Sequence, residues 1–175
     1  EAYSIAKIAA LKLCEYYNKQ YRANFVSLIP PNIYGPNDNF DLDSSHVIPA
    51  LLRKLHEAKI NKNQEVRLWG SGMARREFLH ADDLAQGCVY FMSIYNKNKF
   101  INIGSGEDVS IKKLAFLIKD IVGYQGKIVF DNLMADGMPQ KKLDVTHLKG
   151  IDWKARISLK DGLKTTYEWY RKNYG

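Results

Sequence analysis

A long amphipathic stretch that runs straight into a short apolar strand constrains this chain most. From Ala2 to Tyr21, apolar side chains recur at Ile5, Ala9, Leu13 and Tyr17, with Ile8, Leu11 and Tyr16 widening the same face. That spacing predicts a helix. Asn24 then starts Phe25-Val26-Ser27-Leu28-Ile29, nearly all apolar and stopped by Pro30-Pro31. A helix followed by a strand buried on both faces is the rhythm of a parallel α/β sheet. Asn32-Ile33-Tyr34-Gly35-Pro36-Asn37-Asp38 follows as a turn-rich loop. Loops leaving the carboxyl end of such a strand are where open α/β sheets place ligands. No capping residue precedes the first helix, so the abrupt Glu1-Ala2-Tyr3 start predicts a missing upstream segment.

From Ser45 the pattern is helical again, through Val47, Leu51, Leu52, Leu55 and Ala58. Glu65 to Trp69 is predicted as a strand closed by Gly70-Ser71-Gly72, and Glu77 to His80 as another. Asp82 or Asp83 opens a helix through Leu84, Cys88, Phe91 and Met92. Strands are predicted at Phe100 to Ile103 and Lys127 to Phe130, on either side of a helix capped by Ser110. A loop with Asp136-Gly137-Met138-Pro139 precedes a short helix near Val145 to Lys149. Ser158 caps the last helix, through Leu163, Tyr167 and Tyr170. Short strands separated by helices describe a small mixed α/β lobe beside a larger sheet.

The chain has 175 residues, 46% of them hydrophobic, which supports a packed core. It has no apolar run of about eighteen residues, so no membrane span is expected. The formal net charge is +7, a sign that suits an anionic partner. The basic residues are scattered, however, and no aromatic–basic nucleic-acid module is present, so nucleic acid is not expected. A diphosphate-bearing small molecule needs only two or three of those charges. Cys14 and Cys88 lie far apart and fit no metal pattern; they read as reduced thiols of a cytoplasmic protein.

Tyr3 and Lys7 are spaced i, i+4 and share a helix face. A phenol ordinarily titrates near pH 10, and an ammonium one turn away stabilises its phenolate. Such a pair suits the acid in ketone reduction. Alone, Y-x-x-x-K is a weak signal. Here the helix leads through an apolar strand into Pro30-Pro31-Asn32-Ile33-Tyr34-Gly35-Pro36. That order resembles the extended short-chain dehydrogenases/reductases. Ser45-His46-Val47-Ile48-Pro49-Ala50-Leu51-Leu52, Trp69-Gly70-Ser71-Gly72, Arg76-Glu77-Phe78-Leu79-His80 and Asp144-Val145-Thr146 follow in family order. Within that family the chain is similar to the GDP-L-fucose synthase branch, NADPH-dependent 3,5-epimerases and 4-reductases.

The resemblance implies a fold and a set of roles. The fold is α/β: the C-terminal part of a Rossmann-like doubly wound parallel sheet, plus a small mixed α/β substrate-binding lobe. Residues 1–44 are the remnant of the NADP-binding domain. Residues 45–175 are mainly the substrate lobe, with some segments free to return to the Rossmann sheet. Tyr3 corresponds to the acid that protonates the carbon-4 oxygen, and Lys7 to its partner, which also holds the nicotinamide ribose. Pro30, Pro31, Asn32 and Ile33 correspond to the stretch beside the nicotinamide. His46 corresponds to the acid in proton exchange at carbons 3 and 5 and to a cofactor contact; imidazole ordinarily titrates near 6.5, which suits the role. Lys54, Trp69, Arg76 and Asp136 match sugar-nucleotide contacts. Lys54 stands where relatives can have Arg, which puts bidentate phosphate binding there in doubt.

The implied substrate is a GDP-linked keto sugar and the implied assembly a homodimer. The Gly-rich phosphate-binding turn and the loop with the catalytic Ser and Cys are absent from these residues. Two further readings stay open: a reductase-only enzyme, without epimerase activity, on a related GDP-4-keto-6-deoxy sugar such as a heptose, and an inactive fragment acting as a sugar-nucleotide-binding or dimerisation module.

Overall fold

The structure is a computed structural model that describes residues 2–131, 133 and 136–175. The first helix, α1 (Ala2–Tyr21), has no buried residue. Its apolar face is open, with Ile5, Ile8, Leu13 and Tyr17 all exposed. The helix is tied down at its C-terminal end. The Asn18 carboxamide accepts from the Phe25 backbone nitrogen (2.7 Å) and donates to the Phe25 carbonyl (2.9 Å). The Asn98 amide donates to the Glu15 carbonyl at 3.1 Å.

The apolar run after α1 is mostly not strand. Only Leu28–Ile29 forms β1, beside parallel β5 (Ile101–Asn102). Two prolines explain where it stops: neither has an N–H to continue the ladder. The chain then takes a different neighbour. Asn32–Tyr34, expected as loop, is strand β2, parallel to β4 (Arg75–His80). The Asn32 amide secures the switch by donating to the Glu77 carbonyl at 2.9 Å. The carboxyl end of β1 therefore faces an opening rather than a continuous sheet.

Helix α2 (Val47–Ile60) begins after His46, and β3 (Glu65–Trp69) pairs parallel with β7 (Lys127–Asp131). Helix α3 (Ala81–Ile94) starts earlier than the Asp82-Asp83 pair suggests, because His80 is its cap; the imidazole Nδ1 accepts from the Asp82 nitrogen at 3.2 Å. Ser110 and Ser158 cap α4 (Ile111–Val122) and α5 (Leu159–Tyr174) through their hydroxyls, as their sequence contexts predict. Two short strands lack a sequence signal: β6 (Asp108–Ser110), antiparallel to β4, and β8 (Gln140–Lys141), parallel to it. The short helix predicted near Val145 is a single 3-10 turn at Thr146–Leu148.

One core packs Leu52 and Leu55 of α2 against Leu114 and Ile118 of α4 and Leu163 and Tyr167 of α5. A second gathers Leu79, Phe91, Ile101 and Ile103 under α3. Parallel pairing with intervening helices makes the fold α/β, as expected. Buried carboxylates pin the returning C-terminal segment. Glu77, fully buried, accepts from the Gly106 and Leu143 nitrogens, each at 2.8 Å. Asp83 accepts from the Arg156 and Ile157 nitrogens at 2.9–3.1 Å. Asp83 is thus committed to the backbone. No helix among the described residues is long and apolar enough to cross a membrane.

Candidate active site

A cleft of about 1050 Å3 opens where β1 ends. Tyr3 and Lys7 line it from the first turns of α1, with the Lys7 ammonium 5.5 Å from the Tyr3 ring centroid. Pro30, Pro31, Asn32 and Ile33 form the strand-end wall, and His46 stands at the far side. Tyr3 is 75% exposed, so its hydroxyl is free to meet a ligand.

His46 is held by backbone and left open at its ring. It is the residue before α2, with φ −75 and ψ 170, and its carbonyl accepts from Ala50 at 3.0 Å. The imidazole makes no capping hydrogen bond and is exposed. The loop leading to it is well fixed. Asp41 accepts from the Asp43 and Ser44 backbone nitrogens and from the Ser44 hydroxyl. Buried Phe40 packs on Trp169, Tyr170 and Tyr174 of α5.

The same loop contributes Asp38, which was not singled out from sequence. Its Oδ1 accepts from the Asn39 nitrogen at 2.7 Å, while Oδ2 is buried without a partner. Burial pushes the carboxyl above its ordinary value, against the Asn39 backbone hydrogen bond and, after it, the nearby His46 ring. A carboxylate directly after a Gly-Pro-Asn turn at a strand's carboxyl end is the signal that could have found it. Tyr34 lines the cleft too. Burial first, then Asp83 and Asp161, push its phenol up, so it serves as wall rather than acid.

A second cleft of about 490 Å3 shares Asn32, Ile33, Tyr34 and His46 with the first. Trp69, 70% exposed at the end of β3, Arg76 of β4 and Asp136 line its outer part. Gly70 and Gly72 turn the chain after Trp69 with φ of 79 and 74, backbone that favours glycine. Asp136 holds that turn, accepting from the Ser71 nitrogen at 2.9 Å and from its hydroxyl. Those two bonds hold its carboxyl below the usual range. Arg76 donates from Nη1 to the Arg75 and Met138 carbonyls, both at 2.7 Å. Among the described residues its other nitrogens have no partner, which leaves a guanidinium edge for an anion.

Lys54 lies elsewhere. It sits five residues beyond Pro49, which lines the smaller cleft, roughly 8 Å along the axis of α2. It lines neither cleft. The structure therefore gathers Tyr3, Lys7, Pro30, Pro31, Asn32, Ile33, His46, Trp69, Arg76 and Asp136 around two joined clefts and leaves Lys54 outside.

A helix-borne Tyr–Lys pair thus faces an apolar strand end, in a cleft joined to a pocket lined by a cation and an aromatic ring. The chain belongs to the NAD dependent epimerase/dehydratase family, whose sequence model matches residues 1–104. It is 49% identical over 173 residues to GDP-L-fucose synthase 1 of Arabidopsis thaliana, covering 99% of this chain and 54% of that protein. A GDP-L-fucose synthetase from Naegleria fowleri solved with NADP superposes with a TM-score of 0.92 at 31% identity, over 99% of this chain and 54% of that one. A GDP-6-OMe-4-keto-L-xylo-heptose reductase from C. jejuni superposes with a TM-score of 0.87 at 38% identity, over 96% of this chain and 60% of that one. The chain spans about half the length of the curated relatives it matches.

Proposed function

We propose that this chain is the substrate-side half of an enzyme that converts GDP-4-keto-6-deoxy-D-mannose to GDP-L-fucose by 3,5-epimerisation and 4-reduction with NADPH. The observation that carries the reading is the joining of the two clefts at His46. One cleft holds the Tyr3–Lys7 pair and the other a cation, an aromatic wall and an acid.

The larger cleft suits a nicotinamide cofactor. Pro30, Pro31 and Ile33 give a flat apolar wall, and Lys7 gives a cation beside it. NADPH, when bound, supplies a hydride for carbon 4. Tyr3 donates its hydroxyl proton to the carbon-4 oxygen as that oxygen becomes an alkoxide. Lys7 stabilises the phenolate left behind. At carbons 3 and 5 a base outside these residues removes the original proton to leave an enolate, and His46 returns a proton to the opposite face. Arg76 meets the diphosphate, Trp69 packs against the nucleotide, and Asp136 keeps the turn that presents Trp69 in place. Lys54, five residues along α2 from the lining Pro49, meets the part of the nucleotide that extends along that helix.

Residues 1–44 belong, in this reading, to the cofactor domain, and 45–175 mainly to the substrate lobe, with β5 returning beside β1. The open apolar face of α1 is a surface for homodimerisation, in keeping with Ile5, Ile8 and Leu13 being exposed. Cys14 and Cys88 are free thiols, in keeping with a cytoplasmic enzyme. A Gly-rich turn that would cradle the cofactor's pyrophosphate is absent from these residues, so the 175-residue chain alone is inactive as a reductase.

The likeness to the heptose reductase favours a second reading, a 4-reductase without epimerase activity on a related GDP-keto sugar. The test is NADPH oxidation by the longer protein on addition of GDP-4-keto-6-deoxy-D-mannose, with the product's sugar identified. GDP-L-fucose supports the first reading, a reduced but unepimerised sugar the second, and no oxidation with this sugar or with a GDP-4-keto-6-deoxy-heptose refutes both.

A further inference from the structure

Residues 136–141 form a strap that touches both sides of the smaller cleft. At one end Asp136 holds Ser71, and with it the turn that carries Trp69. At Met138 the strap's carbonyl takes Nη1 of Arg76. The strap itself rests on β4. The Arg75 nitrogen donates to the Pro139 carbonyl at 2.8 Å, and Gln140 and Lys141 pair with Arg75 and Arg76. A two-residue parallel pairing is too short to hold a strap by itself.

Side chains supply the rest. Asp108 of β6 takes the fork of Arg75, with Nε to Oδ2 at 3.0 Å and Nη2 to Oδ1 at 2.8 Å. Gln140 donates to the same Oδ2 at 2.5 Å. One carboxylate thus joins β6, β4 and the strap. It also separates two neighbouring arginines by role: Arg75 is neutralised within the fold, while Arg76 keeps an unspent edge toward the cleft.

We propose that Asp108 is a positioning residue for nucleotide-sugar binding, which it serves by clamping the 136–141 strap through Arg75 and Gln140. The proposal rests on the reading of the smaller cleft as the GDP-sugar site. Asp108 does not line that cleft and acts only through Arg76, Met138 and Asp136. Releasing the clamp frees the strap, so Arg76 loses its second carbonyl anchor and the Trp69 turn loosens. Binding weakens while the reacting groups near Tyr3 and His46 stay put.

The test compares Asp108→Asn, Asp108→Glu and Gln140→Ala in the longer protein, by steady-state kinetics and by calorimetric titration with GDP. Asp108→Asn raises KM for the GDP-keto sugar about tenfold, the scale of one charge-assisted hydrogen bond. The kcat stays within about twofold, and the Kd for GDP rises in step with KM. Gln140→Ala gives a smaller rise, about threefold. Asp108→Glu, which keeps the charge and the fork, recovers most of the loss. KM unchanged in Gln140→Ala and Asp108→Asn overturns the proposal, as does a kcat that falls while KM holds. Should Asp108→Asn fail to fold, Gln140→Ala alone decides. A wild-type protein that binds no GDP refutes the site reading itself, a result separate from variants that match a binding wild type.

Discussion

The Lys7 ammonium stands 5.5 Å from the centroid of the Tyr3 ring, one turn along the same face of α1. Both side chains border the cleft at the end of β1. Tyr3→Phe keeps the ring and removes the proton. It should cut 4-reduction by about 10²–10⁴-fold, the usual contribution of a general acid. Lys7→Met should lower kcat as well and raise KM for NADPH. Steady-state kinetics on the longer protein check both, and a Tyr3→Phe variant with full activity would remove Tyr3 from the chemistry.

Asp38 has a cost that the fold tolerates. Its Oδ2 is buried without a partner, and burial raises its carboxyl. A carboxyl that binds its proton more tightly in the folded state loses stability as pH rises from its ordinary 3.8 through the folded value. At neutral pH, then, charged Asp38 is slightly destabilising. Asp38→Asn should raise Tm at pH 7 by about 1–2 °C and give no gain near pH 3. Thermal unfolding at the two pH values checks this. A lower Tm at pH 7 would contradict it.

Asp108 has the opposite sign. Arg75 first, and then Gln140, hold its carboxyl far below the ordinary value. A depressed carboxyl contributes stability above its ordinary 3.8 and loses it as pH falls through the folded value. The Tm gap between wild type and Asp108→Asn should be open at pH 7 and close in strong acid. A gap independent of pH would mean the ion pair is not its source.

Glu77 is structural. Glu77→Ala strands the Gly106 and Leu143 nitrogens, each bonded to it at 2.8 Å. Unsatisfied buried donors cost about 1–3 kcal/mol each, so a loss of about 3 kcal/mol is expected. Urea unfolding should show a lower midpoint at an unchanged slope. A midpoint equal to wild type would rule out the pin.

Much of the fold was legible because it rests on local signals. The bounds of β3, and the Ser110 and Ser158 caps, follow from alternation and from side-chain oxygens placed before apolar helices. What stayed hidden is non-local. Strands β2, β6 and β8 are two or three residues long and exist because β4 is beside them. His80 takes the cap of α3 because its ring is buried at the strand end, a fact no spacing reveals. The i, i+4 spacing of Tyr3 and Lys7 translates directly into geometry on one helix. Trp69, Arg76 and Asp136 meet only through the turn and the strap, and family order rather than chemistry pointed to them. Lys54 follows Pro49, which lines the smaller cleft, by five residues of α2, about a turn and a half.

The most direct measurement is isotope incorporation by the longer protein acting on GDP-4-keto-6-deoxy-D-mannose with NADPH in deuterated water. Wild type should place deuterium at carbons 3 and 5 of a fully reduced product. His46→Asn should abolish that label. A wild-type product reduced at carbon 4 with no deuterium at carbons 3 and 5 would contradict the account and leave His46 without its role.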